Sequence, residues 1–146
     1  MPEKIVEIKD FSQEIFLFVS KLTKQLNERQ KSLSTEAFRA ILRSLNAHLF
    51  VMYNSDEIPV SMLTVGIYRS PTGSKAWIED VVVDEEYRGR GFGKKIVEHA
   101  IKFIRNLNIE TISLTSNSSR VAANKLYQTL GFEHYETNVY KMRFST

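Results

Sequence analysis

Apolar positions change period several times along the chain, and each change marks an element. Lys4 to Lys9 alternates, with Ile5 and Ile8 around Val6, as a short strand does. Asp10 or Ser12 can cap a helix that carries Ile15, Phe18, Val19, Leu22 and Leu26 on one face. Asn27 to Leu33 is polar and reads as a loop. Ser34-Thr35-Glu36 then opens a second helix through Phe38, Ile41, Leu42 and Leu45. Leu49 to Tyr53 and Pro59 to Tyr68 read as strands, with Asn54-Ser55-Asp56-Glu57 turning between them. Ser70-Pro71-Thr72-Gly73 marks the next turn, before a β-branched and aromatic run from Ala76 to Val83. Ile96, Val97, Ala100, Ile101, Ile104 and Leu107 recur at helical spacing. Glu110 to Thr115 is a further strand, and Val121, Ala122, Leu126 and Leu130 a further helix. Phe132 to Tyr135 and Val139 to Phe144 read as a closing pair around Glu136-Thr137-Asn138. The order β-α-α-β-β-β-α-β-α-β-β predicts an α/β fold with a mixed sheet, and residues 1–146 read as one domain.

Between the Ala76–Val83 strand and the helix at Ile96 lies Arg88-Gly89-Arg90-Gly91-Phe92-Gly93. A glycine-rich turn entering a helix presents unpaired N–H groups at the positive end of the helix dipole, which suits a phosphate. A dinucleotide fingerprint needs G-x-G-x-x-G, and these glycines fall at every second residue. A P-loop needs Ser or Thr after Gly-Lys, and Gly93-Lys94 is followed by Lys95. Neither spacing fits. Arg/Gln-x-x-Gly-x-Gly/Ala does fit, as Arg88, Gly91 and Gly93.

Downstream, Ala123-Asn124-Lys125-Leu126-Tyr127-Gln128-Thr129-Leu130-Gly131-Phe132 has the form A-x-x-L/F-Y-x-x-x-G-F, and Gly131 suits a left-handed C-cap. With these two segments in this order, the chain resembles the GNAT superfamily of acyl-CoA-dependent N-acyltransferases, well over residues 75–135 and loosely elsewhere. The resemblance implies a mixed, mostly antiparallel central sheet flanked by helices, and acetyl-CoA as co-substrate. It places the pyrophosphate on the backbone from Arg88, Gly89 and Arg90 through Gly91, Phe92 and Gly93, with Arg88, Arg90 and Lys94 or Lys95 adding side-chain contacts. It lays the pantetheine arm beside Val81, Val82 and Val83, where family members splay two strands apart.

Composition narrows the field a little. A formal charge of +3, from 20 basic and 17 acidic residues, permits an anionic ligand without arguing for nucleic acid. The Arg-Gly repeat is short and lacks interleaved aromatics beyond Phe92, so no nucleic-acid partner is expected. The absence of cysteine excludes a disulfide framework and a thiol nucleophile. No signal-peptide pattern or membrane-length apolar run is present, which makes a cytoplasmic protein without a membrane partner the expectation. Dimers are common in the superfamily; nothing in these residues establishes a homodimer.

Acetyl transfer to an amine needs a neutral nucleophile and a proton for the departing thiolate. Alkyl amines have a pKa of about 10, so a base is required, directly or through water. Glu79 and Asp80 lie on the strand that meets the cofactor, with Glu79 the first choice. Strand alternation puts them on opposite faces unless a bulge re-aims them. By resemblance, Tyr127 is the general acid. Many family members carry a coenzyme-contacting Asn where this chain has Arg120, so Arg120, Asn117 and Asn124 share that expectation. His48, His99 and His134 have no metal-ligand company, and no metal is expected. The resemblance forms the acceptor pocket from the first two helices, their loop and the closing pair. Their mixed charges, Glu28, Glu36, Glu133 and Glu136 against Lys24, Arg29 and Lys31, leave the acceptor amine open. It can be a small molecule, or a protein or peptide; a non-catalytic acyl-CoA module is the third reading.

Overall fold

A computed structural model describes residues 2–145. The chain divides into two compact units, the first ending at Thr115 and the second beginning at Ser116. The first unit is built on five strands: β1 (Lys4–Glu7), β2 (Ala47–Tyr53), β3 (Pro59–Ser70), β4 (Gly73–Val83) and β5 (Ile112–Ser113). They lie in the order β1-β2-β3-β4-β5, antiparallel up to β4 and parallel between β4 and β5. Three helices belong to it: α1 (Gln13–Leu26), α2 (Thr35–Arg43) and α3 (Phe92–Asn106).

Helix starts follow local chemistry. Ser12 caps α1 by accepting the Ile15 N–H at 3.2 Å, and Ser34 caps α2 by accepting the Ala37 N–H at 3.0 Å. The i, i+3, i+4, i+7 face of α1, Ile15, Phe18, Val19 and Leu22, is buried with Phe38 of α2 against Leu49, Val51, Met62 and Val82. Phe50 lies between Leu49 and Val51 and so points to the other side of the sheet. There it meets His99 and Phe103 of α3 at ring distances of 5.1 and 5.0 Å. The sheet is therefore covered on one face by α1 and α2 and on the other by α3. No helix among the described residues is long and apolar enough to cross a membrane.

The second unit contains α4 (Val121–Thr129), and residues 132–145 carry no helix or strand. The expected closing pair is thus corrected. Its alternation records a capacity to pair, but Tyr135, Val139, Tyr140, Met142 and Phe144 are exposed and the segment joins no ladder. Two helix ends also fall short of their patterns. α2 stops at Arg43, leaving Leu45 exposed, and α3 stops at Asn106, leaving Leu107 exposed. The strand expected over Glu110 to Thr115 shrinks to Ile112–Ser113.

Candidate functional site

β4 breaks its own alternation at the acidic pair. Met62 of β3 faces Val82 and Thr64 faces Glu79, so Asp80 and Val81 together oppose the single residue Leu63. This is a β-bulge. Asp80 takes φ of 52° within it, a left-handed conformation normally given to glycine and better tolerated by Asp than by most residues. The bulge reverses the faces of the strand. Val82 joins the α1–α2 core, whereas Ile78, four residues earlier, faces Val65 on the α3 side. Glu79 and Asp80 are both exposed as residues. Burial at the carboxyl nevertheless raises the Asp80 pKa above 3.8.

The same strand loses its neighbour at the same place. β5 pairs only as Ala76 with Ile112 and Trp77 with Ser113. Ile78 to Val83 then run on with no strand on that side among the described residues. Val81 and Val83 are half-buried along this edge, and Val82 is buried in the core. A strand edge with no neighbouring strand is where an extended ligand can run alongside the backbone.

Beyond β4 the chain makes a short 3₁₀ turn at Glu85–Tyr87 and then the glycine turn. Gly89 and Gly91 have φ of 80° and 83°, where other residues would be strained, and a Cβ on either would meet nothing within 4 Å. Gly91 begins α3 without a side-chain cap, and the first helical bond is Lys95 N–H to the Gly91 carbonyl at 3.2 Å. The N–H groups of Phe92, Gly93 and Lys94 thus precede the helical ladder. An open, uncapped helix start suits a phosphate group. Arg88 donates from Nε to the Val83 carbonyl at 3.1 Å, which ties the turn to the end of β4. Arg90 stacks over Tyr87 at 5.3 Å. Lys94 is exposed, whereas Lys95 is ion-paired with Glu3.

Asp84 anchors this turn, although as the first of three consecutive acids, Asp84-Glu85-Glu86, it gave no sequence signal of its own. It is 2% exposed and pairs with Lys21 at 2.8 Å, accepts from Gln25 at 3.3 Å, and accepts the Glu86 N–H at 3.3 Å. The Gln25 carbonyl oxygen in turn accepts the Glu85 N–H at 3.0 Å. Burial pushes the Asp84 pKa up, but the Lys21, Gln25 and Glu86 hydrogen bonds and the Lys21 charge hold it below 3.8. Asp84→Ala should cost about 1–3 kcal/mol at neutral pH, because it strands the donors that Asp84 satisfies. A depressed folded pKa means that this contribution is present above 3.8 and fades as pH falls through the folded value. Denaturant titrations of wild type and variant should therefore converge at acid pH; a constant gap would disprove the ionic account.

In the second unit, Asn117, Arg120 and Asn124 form one local turn. Asn117 accepts the Ser119 N–H at 2.9 Å, and Asn124 donates to the carbonyls of Asn117 and Arg120 at 2.9 and 2.8 Å. Both Asn side chains thereby shape the start of α4. Its other end is a Schellman motif: Phe132 N–H reaches the Tyr127 carbonyl and Gly131 N–H the Gln128 carbonyl, with Gly131 at φ of 102°. Phe132 also packs edge-on against Tyr127 at 6.0 Å, so the Y-x-x-x-G-F spacing is that of a capped helix end. Tyr127 is buried, which raises its pKa above 10.0 against the opposing charge of Arg120.

His48 and His99 take structural roles, and His134 is exposed. His48 bonds Glu7 at 2.8 Å, and His99, expected on the polar face of α3, is half-buried against Phe50, with burial lowering its pKa.

This arrangement coincides with a match to known proteins. The chain belongs to the Acetyltransferase (GNAT) family, which matches residues 12–132. It is 45% identical over 58 residues to the GCN5-related N-acetyltransferase 2, chloroplastic, of Arabidopsis thaliana, covering 40% of this chain and 21% of that protein. Over 58 residues it is 33% identical to the ribosomal protein bS18 alanine N-acetyltransferase of Escherichia coli, covering 40% of this chain and 39% of that one. The match thus spans less than half of either relative. A putative acetyltransferase from Agrobacterium tumefaciens has the same fold, with a TM-score of 0.84 and 25% identity over 96% of this chain and 99% of that one. Enzymes of this family use acetyl-CoA as co-substrate.

Proposed function

We propose that this chain transfers an acetyl group from acetyl-CoA to a primary amine of a small molecule. The observation that carries the reading is the coincidence, within one unit, of the place where β4 runs on past β5, the bulged acidic pair and the uncapped glycine turn. Acetyl-CoA supplies a thioester, whose carbonyl carbon bonds the amine nitrogen as the thiolate leaves. Residues 88–94 hold the pyrophosphate with backbone N–H groups, assisted by Arg90 and Lys94, while Arg88 keeps the turn at the strand end. Val81, Val82 and Val83 offer backbone to the pantetheine arm. Asn117, Arg120 and Asn124 bind coenzyme through the turn that begins α4.

Asp80 takes the proton from the amine, because its raised pKa makes it a stronger base than an ordinary aspartate. Glu79, the first choice from sequence, stands beside it as the alternative. Tyr127 gives a proton to the thiolate, and burial keeps its phenol protonated at neutral pH.

A solvent-open pocket of about 400 Å³ beside α1 has room for a small acceptor. The similarity to a ribosomal protein alanine N-acetyltransferase supports a peptide acceptor as the second reading. Acetyl-CoA consumption measured across small amines and N-terminal alanine peptides tests both. Silence across the whole panel would leave only coenzyme binding.

Gly91→Ala tests the cradle. A Cβ at φ of 83° costs about 1–2 kcal/mol, which the free turn escapes by leaving that conformation; restoring it on binding should weaken coenzyme A affinity about five- to thirtyfold by titration calorimetry. Unchanged affinity would remove the turn from the binding site.

A further inference from the structure

The cavity beside α1 carries more information than its size. Resting on the acetyltransferase reading, we infer that it binds an anionic group, carboxylate or phosphate, on the acceptor amine. Lys21 and Lys24 of α1 and Lys31 of the following loop all line it, and no acidic side chain among the described residues does. The sequence mixes Glu28 and Arg29 into that loop, yet neither lines the cavity. Folding has therefore sorted the charges that the sequence leaves mixed.

The three lysines are not equivalent. Lys21 is neutralised by Asp84 at 2.8 Å, so it orients the wall rather than reading a ligand. Lys24 bonds the Gln30 carbonyl, a neutral acceptor, which fixes its ammonium near the loop and leaves its charge uncompensated. Lys31, an exposed residue, lines the same pocket and carries a second cation on a flexible side chain. An anion at the mouth of this pocket would have both ammonium groups within reach of their flexible side chains.

The hydroxyls fit the same ligand class. Ser20 and Thr23 donate to the Phe16 and Val19 carbonyls at 2.8 Å each, so their protons are committed within α1. Donors for an anion must then come from the lysines and Ser32. Phe16, Leu17 and Leu33 give the wall an apolar part suited to a short carbon chain between amine and anion. The cavity is also joined to the donor side. Lys21 lines it while gripping Asp84, the residue that anchors the glycine turn. An acceptor whose anion is held here is retained beside the end of β4.

Two arms test the inference. In the first, wild type and Lys24→Gln/Lys31→Gln are titrated with inorganic phosphate and with a short dicarboxylate, with coenzyme A saturating so that the glycine turn is occupied. Each lysine should be worth about tenfold, so the double variant should bind the preferred anion about 10–100-fold more weakly. Which probe binds wild type distinguishes phosphate from carboxylate. Equal binding by wild type and variant, or none by wild type, overturns the inference.

In the second arm, kcat/KM is compared for amines that carry a carboxylate or phosphate and for their neutral counterparts. The variant should lose about 10–100-fold on the anionic amines relative to their neutral counterparts. A wild type that prefers neutral or cationic amines overturns the anion assignment while the acetyltransferase reading stands. Lysine-dependent anion binding with no turnover of any amine overturns the acetyltransferase reading and keeps the anion site.

Discussion

Asp80→Asn is expected to lower kcat by about 10²–10⁴-fold, the usual worth of a positioned general base. The amide has nearly the shape of the carboxylate and cannot take a proton. Wild type should lose kcat/KM as pH falls through the Asp80 pKa, which burial places above 3.8, and the variant should lose that acid limb. The stability sign runs the other way. A raised folded pKa means that the charged carboxylate costs stability above that value, a cost that is gone below the unfolded pKa. Asn removes the charge and also tolerates φ of 52° well. Thermal melting should therefore show Asp80→Asn at least as stable as wild type at neutral pH, a gain in stability alongside a loss of function. Wild-type kcat with the acid limb intact would refute the assignment. Glu79→Gln, measured in parallel, would become the base variant if it alone removed the limb.

The strained backbone that singles out Asp80 is also what the sequence hides. Ile78-Glu79-Asp80-Val81-Val82 reads as an uninterrupted strand, and nothing in it names Asp80 as the extra residue. A bulge exists only relative to a partner, and here the partner is Leu63, whose register is set by tertiary pairing. The place where β4 runs on past β5 escapes sequence for the same reason: β5 ends after two residues although its apolar pattern continues. Elements governed by local chemistry were legible. Ser12, Ser34 and Gly131 each cap a helix where the sequence predicts, and the glycine turn enters α3 as its spacing requires. The C-terminal pair fails on the opposite ground. Val139 to Phe144 alternates well enough to pair, and alternation does not supply an edge to pair with. The sorting of charge around the α1 pocket is likewise three-dimensional, since Glu28, Arg29 and Lys31 are neighbours in sequence and of the three Lys31 lines it.

Tyr127→Phe should also slow turnover by about 10²–10⁴-fold, as expected for loss of a positioned general acid. The variant isolates one proton. It keeps the ring, the edge-on contact with Phe132 and the Schellman end of α4, because all three depend on ring carbon and backbone rather than on the hydroxyl. Melting temperature and coenzyme A affinity should therefore stay close to wild type while kcat drops. The Tyr127 pKa is raised by burial, and Arg120 opposes that rise. Deprotonation of the acid should thus bring activity down only above pH 10, where the phenol ionises, so no Tyr127 limb should intrude on the neutral range. The chemistry of the donor supplies an internal control. If the proton matters because it relieves charge on the departing thiolate, an acyl donor with a more acidic thiol should suffer less from Tyr127→Phe than acetyl-CoA does. A loss equal for both donors would place Tyr127 in positioning rather than proton transfer. Full activity with acetyl-CoA would exclude Tyr127 from the chemistry and leave the buried ring as packing against Phe132.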